Sequence, residues 1–239
     1  MKLKRYLVFG PGRVGGNFAA YARHLGHEAK LISHAEAATE TEKCRALIGE
    51  ADIVAAAVPD SALAEWARTW RESLGDKPAI HFSGALLIEG LLSYHPLYSF
   101  PAAVLAPETL QAIAFAREEK APSFADILPG APNPDFVVKA KDRAYYHALA
   151  VLSGNFAAYL WNESAKAAAS RLEIDPGTVL ASYLAGVVER FRESPFASLT
   201  GPIARHDRAS VEANLAALSD EPRLKALYQT FLEAAWPDY

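Results

Sequence analysis

Cysteine is almost missing from this chain: Cys44 is the only one in 239 residues, and methionine occurs once. A single thiol excludes a disulfide framework and a thiolate zinc site, and it reads as a passive residue of a reducing compartment. An excess of positive charge is missing too. Lys and Arg number 24 against 28 Asp and Glu, a formal net charge of −4, which leaves no basic face for nucleic acid or an anionic membrane surface. No apolar run approaches the roughly 18 residues of a membrane span. The apolar run at the start of the sequence reads as a strand rather than a signal peptide, so the cytoplasm is the expected compartment. The histidines lack ligand spacing, and no metal is expected.

An apolar share of 51% and a charged share of 22% describe a globular chain, long enough for one large domain or two modest ones. Its clearest signal lies at the front. Tyr6-Leu7-Val8-Phe9 runs into Gly10-Pro11-Gly12-Arg13-Val14-Gly15, a strand feeding G-x-G-x-x-G, with a helix-compatible stretch over 17–24. Gly10 permits the tight turn, Gly12 lets the backbone approach a pyrophosphate, and Gly15 lets the helix pack closely on the strand. The helix N-terminus then supplies N–H groups and a positive dipole end to the phosphates. Arg13 either reaches the pyrophosphate or adenine, or is simply solvated.

Short apolar runs and helix-patterned stretches alternate to about residue 100, the signature of a parallel α/β sheet. Strands are expected over 6–9, 28–33, 53–58 and 79–82, with helices over 17–25, 41–48 and 62–74. Further on, 112–116 and 136–138 read as strands, 122–128 as a short helix, and His95-Pro96 as part of a loop. Residues 142–169 read as one long helix, and Pro176, Pro195 and Pro202 punctuate more helices. The expected organisation is a dinucleotide-binding α/β domain over 1–140 and an all-helical domain over 141–239.

The end of the second strand sets cofactor preference. An Asp or Glu about 20 residues after the glycines would hold a ribose 2′-hydroxyl and repel a 2′-phosphate. Ser33-His34 stands there, with Glu36 slightly late. A serine hydroxyl can donate to phosphate and a histidine can add charge, so the balance favours NADP, with NAD the alternative. The other reading is that both residues only cap the strand. Val58, Pro59 and Asp60, just past the third strand, complete the expected cofactor contacts.

Several segments together resemble a known family: GPGRVGG at 10–16, AAAVPDSAL at 55–63, HFSGAL at 81–86, HPLYSFP at 95–101, YYHALAVLSGN at 145–155 and LTGPIARHD at 199–207. They match, in order, the Rossmann-like family with a C-terminal DUF2520 domain. Its architecture is similar to that of pyrroline-5-carboxylate reductase, ketopantoate reductase and the 6-phosphogluconate dehydrogenase superfamily. The resemblance implies an NAD(P)-binding oxidoreductase with no substrate assigned. Many relatives carry Ser-Arg where this chain has Ser33-His34.

Ligands of open parallel sheets sit beyond the strand carboxyl ends. Ser83, at such an end, is either near the nicotinamide or a turn-initiating residue, and His95 on its loop is an acid/base candidate. His81 reads as a core histidine. Relatives by resemblance place a proton donor, commonly lysine, and an asparagine on the first long helix of the second domain. Here His147 and Asn155 would take those roles, or else bond within a helical core. Arg205 is a candidate clamp for a substrate carboxylate, or a partner of Asp207. Two functions stand side by side. One is an oxidoreductase moving hydride between a nicotinamide cofactor and a small carbonyl, imine or hydroxy compound bound between the domains. The other is a non-catalytic dinucleotide sensor. Tyr145, Tyr146, Leu149, Leu152, Phe156, Tyr159, Leu160 and Trp161 surround the long helix with apolar surface, so a homodimer joined through the helical domains is expected, the alternative being a monomer in which later helices over 178–191 and 211–235 wrap the long one.

Overall fold

Alternation along the first strands decides the layering. In β1 (Arg5–Phe9), Tyr6 and Val8 join one buried cluster while Leu7 and Phe9 join another, and in β3 (Ile53–Ala56) Ile53 and Ala55 separate from Val54 and Ala56 in the same way. Successive side chains of a strand point to opposite faces, so strands apolar at every position demand cover on both sides. The computed structural model describes residues 2–239 and supplies that cover. On one face lie α1 (Arg13–His24) and, further along, α5 (Pro107–Ala112) and α6 (Phe124–Ile127). On the other lie α3 (Thr41–Glu50) and α4 (Asp60–Leu74), whose Leu63, Trp66, Trp70 and Leu74 form one buried stripe. Phe9 packs between the last two aromatics, with ring centroids 5.3 Å from Trp66 and 5.2 Å from Trp70.

The sheet has seven strands in the order β2-β1-β3-β4-β5-β6-β7, the others being β2 (Glu28–Ile32), β4 (Ala79–His81), β5 (Leu92–Pro96), β6 (Phe115–Arg117) and β7 (Asp135–Val137). The first five positions run parallel, and β6 pairs antiparallel to β5. Strand order reverses between β1 and β3, and a crevice beyond the carboxyl ends at such a reversal is where ligands of doubly wound sheets bind. This is a Rossmann-type sheet.

Four local expectations give way. A helix, α2 (His34–Thr39), starts at once after β2, because Ser33 and Glu36 form a capping box. His95 is not on a loop: it lies within β5, where Pro96 is the last residue and costs the ladder little. Residues expected as a strand over 112–116 are divided, because Pro107 starts α5 and pairing begins only at Phe115. The long helix is interrupted as well. It runs as α7 (Arg143–Ala150), a π-helical stretch Val151–Phe156, and α8 (Ala157–Leu172).

The chain divides into two compact units, Met1–Gly154 and Asn155–Tyr239. The expectation placed the division near residue 140. The difference is α7, whose Arg143 is anchored beneath the strand ends of the first unit. The second unit is helical throughout: α8, α9 (Pro176–Glu193), α10 (Gly201–Ala204), α11 (Arg208–Ala217) and α12 (Pro222–Ala235). Asp175 caps α9 and Asp207 caps α11 by accepting from backbone N–H groups. A small core of Val211, Leu232 and Trp236 holds α11 against α12. No helix among the described residues is long and apolar enough to cross a membrane.

Candidate functional site

The turn after β1 is fixed by steric necessity at both ends and left open in the middle. Gly10 has φ of +99°, and a Cβ there would lie 2.2 Å from the Ala57 carbonyl oxygen. A Cβ on Gly15 would lie 2.0 Å from the Gly10 carbonyl oxygen, so neither position accepts a side chain. Gly12 differs: nothing lies within 4 Å of its Cβ position. It is the N-cap of α1, no side chain caps the helix, and no acidic residue sits in the first turn. The N–H groups that begin α1 therefore face open space with the positive dipole end behind them, which fits a pyrophosphate. Pro11, Gly12 and Arg13 are exposed and Val14 is half-buried. The buried Asn17 closes the arrangement from inside, donating to the Arg13 carbonyl at 2.7 Å and accepting from Leu105 N–H at 2.8 Å.

At the end of β2 the Ser33 hydroxyl is not free. It donates to Glu36 Oε2 at 2.7 Å and accepts from Glu36 N–H, while Ser33 N–H donates to the same carboxylate at 2.8 Å. These hydrogen bonds hold the Glu36 carboxyl below its ordinary range. His34 opens α2 and is exposed. The carboxylate, slightly late in sequence, is thus brought back to the strand end, and of the two residues expected to meet a 2′-phosphate only His34 keeps a free side chain.

A polar cluster occupies the carboxyl ends of β4 and β5. Ser83 ties two turns together: its hydroxyl donates to Asp60 at 2.8 Å and accepts from Leu86 N–H at 3.1 Å. Asp60 begins α4 after Pro59, so this bond joins the turns that follow β3 and β4. Val58 is half-buried before that turn. Gly84 comes next, and its missing side chain is informative. A Cβ there would lie 2.7 Å from His147 Cδ2 and 3.0 Å from His95 Nε2. Two imidazoles from α7 and β5 therefore close on one glycine, their ring centroids 6.1 Å apart. The Tyr146 hydroxyl pairs with His95 Nδ1 at 2.7 Å. When Tyr146 donates to that nitrogen, the neutral ring carries its proton on Nε2, toward Gly84.

Burial is the main reason His95 is pushed down to about 4, with His147 and the Arg143 guanidinium adding to it. His81 is lowered to about 4 in the same way, by burial and then Arg143. Both histidines are neutral in the folded chain at pH 7 and charge in the unfolded chain near 6.5. Between about pH 6.5 and 4 the unfolded state binds more protons, so stability is full above 6.5 and is lost as pH falls through that window. Each histidine contributes at most about 3 kcal/mol by this route. Denaturant titrations at pH 7.5 and 5 should show the loss, and equal midpoints at the two values would show that the rings are solvated.

His147, Ser83 and His95 are thus brought together, whereas Asn155 and Arg205 belong to the second unit. Asn155 is exposed at its start, and Arg205 is exposed just after α10. Asp207, the expected partner of Arg205, is committed to Ser210 N–H at 3.1 Å and to the Ser210 hydroxyl. Sequence reasoning passed over Arg143 and the pairing of Tyr146 with His95. The helical spacing of Arg143 four residues before His147 was the available signal for one of them.

A glycine turn at a helix N-terminus, set at the reversal of a parallel sheet, defines a Rossmann-type dinucleotide-binding fold followed by a helical unit. Residues 113–235 match the family described as a domain of unknown function, DUF2520, and the chain belongs to that family. No curated protein matches it. Among solved structures it is similar to a candidate NADP oxidoreductase from Bacteroides fragilis, at 19% identity and a TM-score of 0.77, covering 98% of each chain. It is also similar to pyrroline carboxylate reductase from Plasmodium falciparum with NADP bound, at 17% identity and 0.58, covering 98% of this chain and 96% of that one. An imine reductase from Pseudomonas sp. follows at 16% identity and 0.61, covering 98% and 93%. At these identities the likeness is one of fold.

Proposed function

We propose that the chain is a nicotinamide-dependent oxidoreductase acting on a small carbonyl or imine compound, with NADP the favoured cofactor. The observation that carries this reading is the contrast within the glycine turn: Gly10 and Gly15 are sterically obligatory, and Gly12 opens on space at an uncapped helix N-terminus. Gly10 to Gly15 would hold the pyrophosphate, with Val58, Pro59 and Asp60 beside it. A bound nicotinamide supplies or accepts hydride. The chain's own task is the proton. His147, half-buried and unpaired by any side chain among the described residues, holds it toward the substrate oxygen or nitrogen, and His95, oriented by Tyr146, donates a hydrogen bond from Nε2. Calorimetric titration with NADPH and NADH tests the reading: one site per chain is expected, and no heat from either cofactor would reject it.

NADP is supported by the structures with which the chain shares its fold and by the exposed His34. Glu36 opposes it by placing a fixed negative charge at the strand end. Glu36→Gln should therefore raise the ratio of NADPH to NADH affinity by about 10-fold, as removal of about 1.4 kcal/mol of repulsion would. An unchanged ratio would place the adenine ribose away from this turn.

The second unit is proposed to pair with that of another copy. Tyr183 is 68% exposed, Phe191 55% and Leu172 64%, with Val179, Val187 and Val188 also open on α9. A stripe of this size on two adjacent helices is normally covered, and a two-fold interface on the order of 2,000 Å² covers it. Light scattering at micromolar concentration should give twice the 25.9 kDa chain mass, and the chain mass itself would reject the pairing.

A further inference from the structure

Beneath the histidine pair lies a second polar layer to which the proposed chemistry gives no work. Arg143 is 2% exposed and His81 0%, and both are tied to the backbone of Ser83. Ser83 N–H donates to His81 Nδ1 at 3.2 Å, and Arg143 Nη2 donates to the Ser83 carbonyl at 3.0 Å and to Ser93 Oγ. Because His81 Nδ1 accepts, the neutral ring carries its proton on Nε2. That nitrogen has no hydrogen-bond partner among the described residues, and neither has Arg143 Nε nor Arg143 Nη1.

All three unpartnered groups are donors. A buried donor left without an acceptor costs about 1–3 kcal/mol, and a charged one more. The nearby carboxylates do not meet the need. Glu118 accepts from Ser93 N–H at 2.8 Å, and Asp60 accepts from the Ser83 hydroxyl. Buried guanidinium groups are ordinarily paired with an anion, and this one is bonded only to a carbonyl and a hydroxyl. A water molecule would answer the donors but bring two hydrogens of its own. An anion needs donors alone.

We propose that Arg143 and His81 form a buried subsite for a monovalent anion of the carboxylate or halide type, carried by the substrate or taken up free. The substrate-borne form rests on the oxidoreductase reading above; the free form does not. Position favours the former. Arg143 and His147 are one turn apart on the same face of α7, and Ser93 and His95 share one face of β5. A carboxylate held by Arg143 therefore leaves an adjoining carbonyl or imine carbon at the histidine pair, about 5 Å along the helix.

The test uses the whole chain and simple probes. Crystals soaked in sodium bromide are examined for anomalous signal, and calorimetry follows formate, pyruvate and methyl pyruvate. A bromide peak within hydrogen-bond distance of Arg143 and His81, with saturable formate binding that Arg143→Met weakens by about tenfold or more, is expected. Pyruvate binding that formate competes away and methyl pyruvate fails to reproduce identifies the substrate as the source. Bromide and formate binding without pyruvate binding identifies a free anion. Bromide scattered elsewhere, an adventitious ion only, overturns the subsite, as does failure of all three anions to saturate the wild-type chain. If Arg143→Met does not fold, the bromide map of the wild-type chain decides alone. NADPH titration of the same samples keeps the two readings apart: anion binding lost with NADPH binding kept removes the subsite and spares the oxidoreductase.

Discussion

Gly12→Asp is expected to abolish dinucleotide binding, raising Kd for NADPH by at least about 100-fold, while the chain stays folded. The asymmetry follows from the space around the glycine. A Cβ at position 12 meets no atom within 4 Å, so the folded chain accepts a side chain there without strain. A pyrophosphate does not, because the new carboxylate occupies its place and repels it, with the helix dipole now satisfied internally. A loss of about 3 kcal/mol is the order expected from one such steric and charge conflict. Calorimetry on both proteins, with circular dichroism as the folding control, reads the result. Unchanged affinity would move the cofactor off this turn altogether.

The second large effect is expected at His147. Replacing it with Ala should lower kcat by about 10²- to 10⁴-fold, the usual contribution of a positioned general acid, with NADPH affinity kept within about twofold. Its ring closes on Gly84 opposite His95, whose own basicity is suppressed to about 4 by burial and by neighbouring positive groups. His95 is therefore a poor proton donor near neutral pH and a good neutral hydrogen-bond donor, which leaves proton delivery to His147. If His147→Ala retains turnover and His95→Gln loses it, these two roles are exchanged.

The glycine turn was legible because its chemistry is local: spacing, a strand before and a helix after are all properties of the consecutive residues 6–24. The same holds for the apolar strands, whose unbroken burial follows from helices on both faces. What escaped the sequence depended on partners distant along the chain. His95 looked like a loop residue because Pro96 follows it, yet pairing with Phe115 and its neighbours makes this segment a strand. Ser83 was open to two readings, and its bond to Asp60, twenty-three residues away, was visible in neither. Glu36 looked too late to matter, and a capping box brings it back to Ser33. Arg143 was the largest omission. Its spacing set it on the helix face of His147, but its burial depends on Ser83 and Ser93, sixty and fifty residues away along the chain.

Hydride transfer itself is read by following an isotope from cofactor to product. NADPH carrying deuterium at C4 is incubated with the chain and a panel of short keto acids and cyclic imines, and the products are read by mass spectrometry. One deuterium is expected on the former carbonyl or imine carbon of at least one compound, with transfer lost in His147→Ala. NADPH that binds at one site per chain yet passes no deuterium to any member of the panel would contradict hydride transfer, and would make this a protein that holds a dinucleotide without using it.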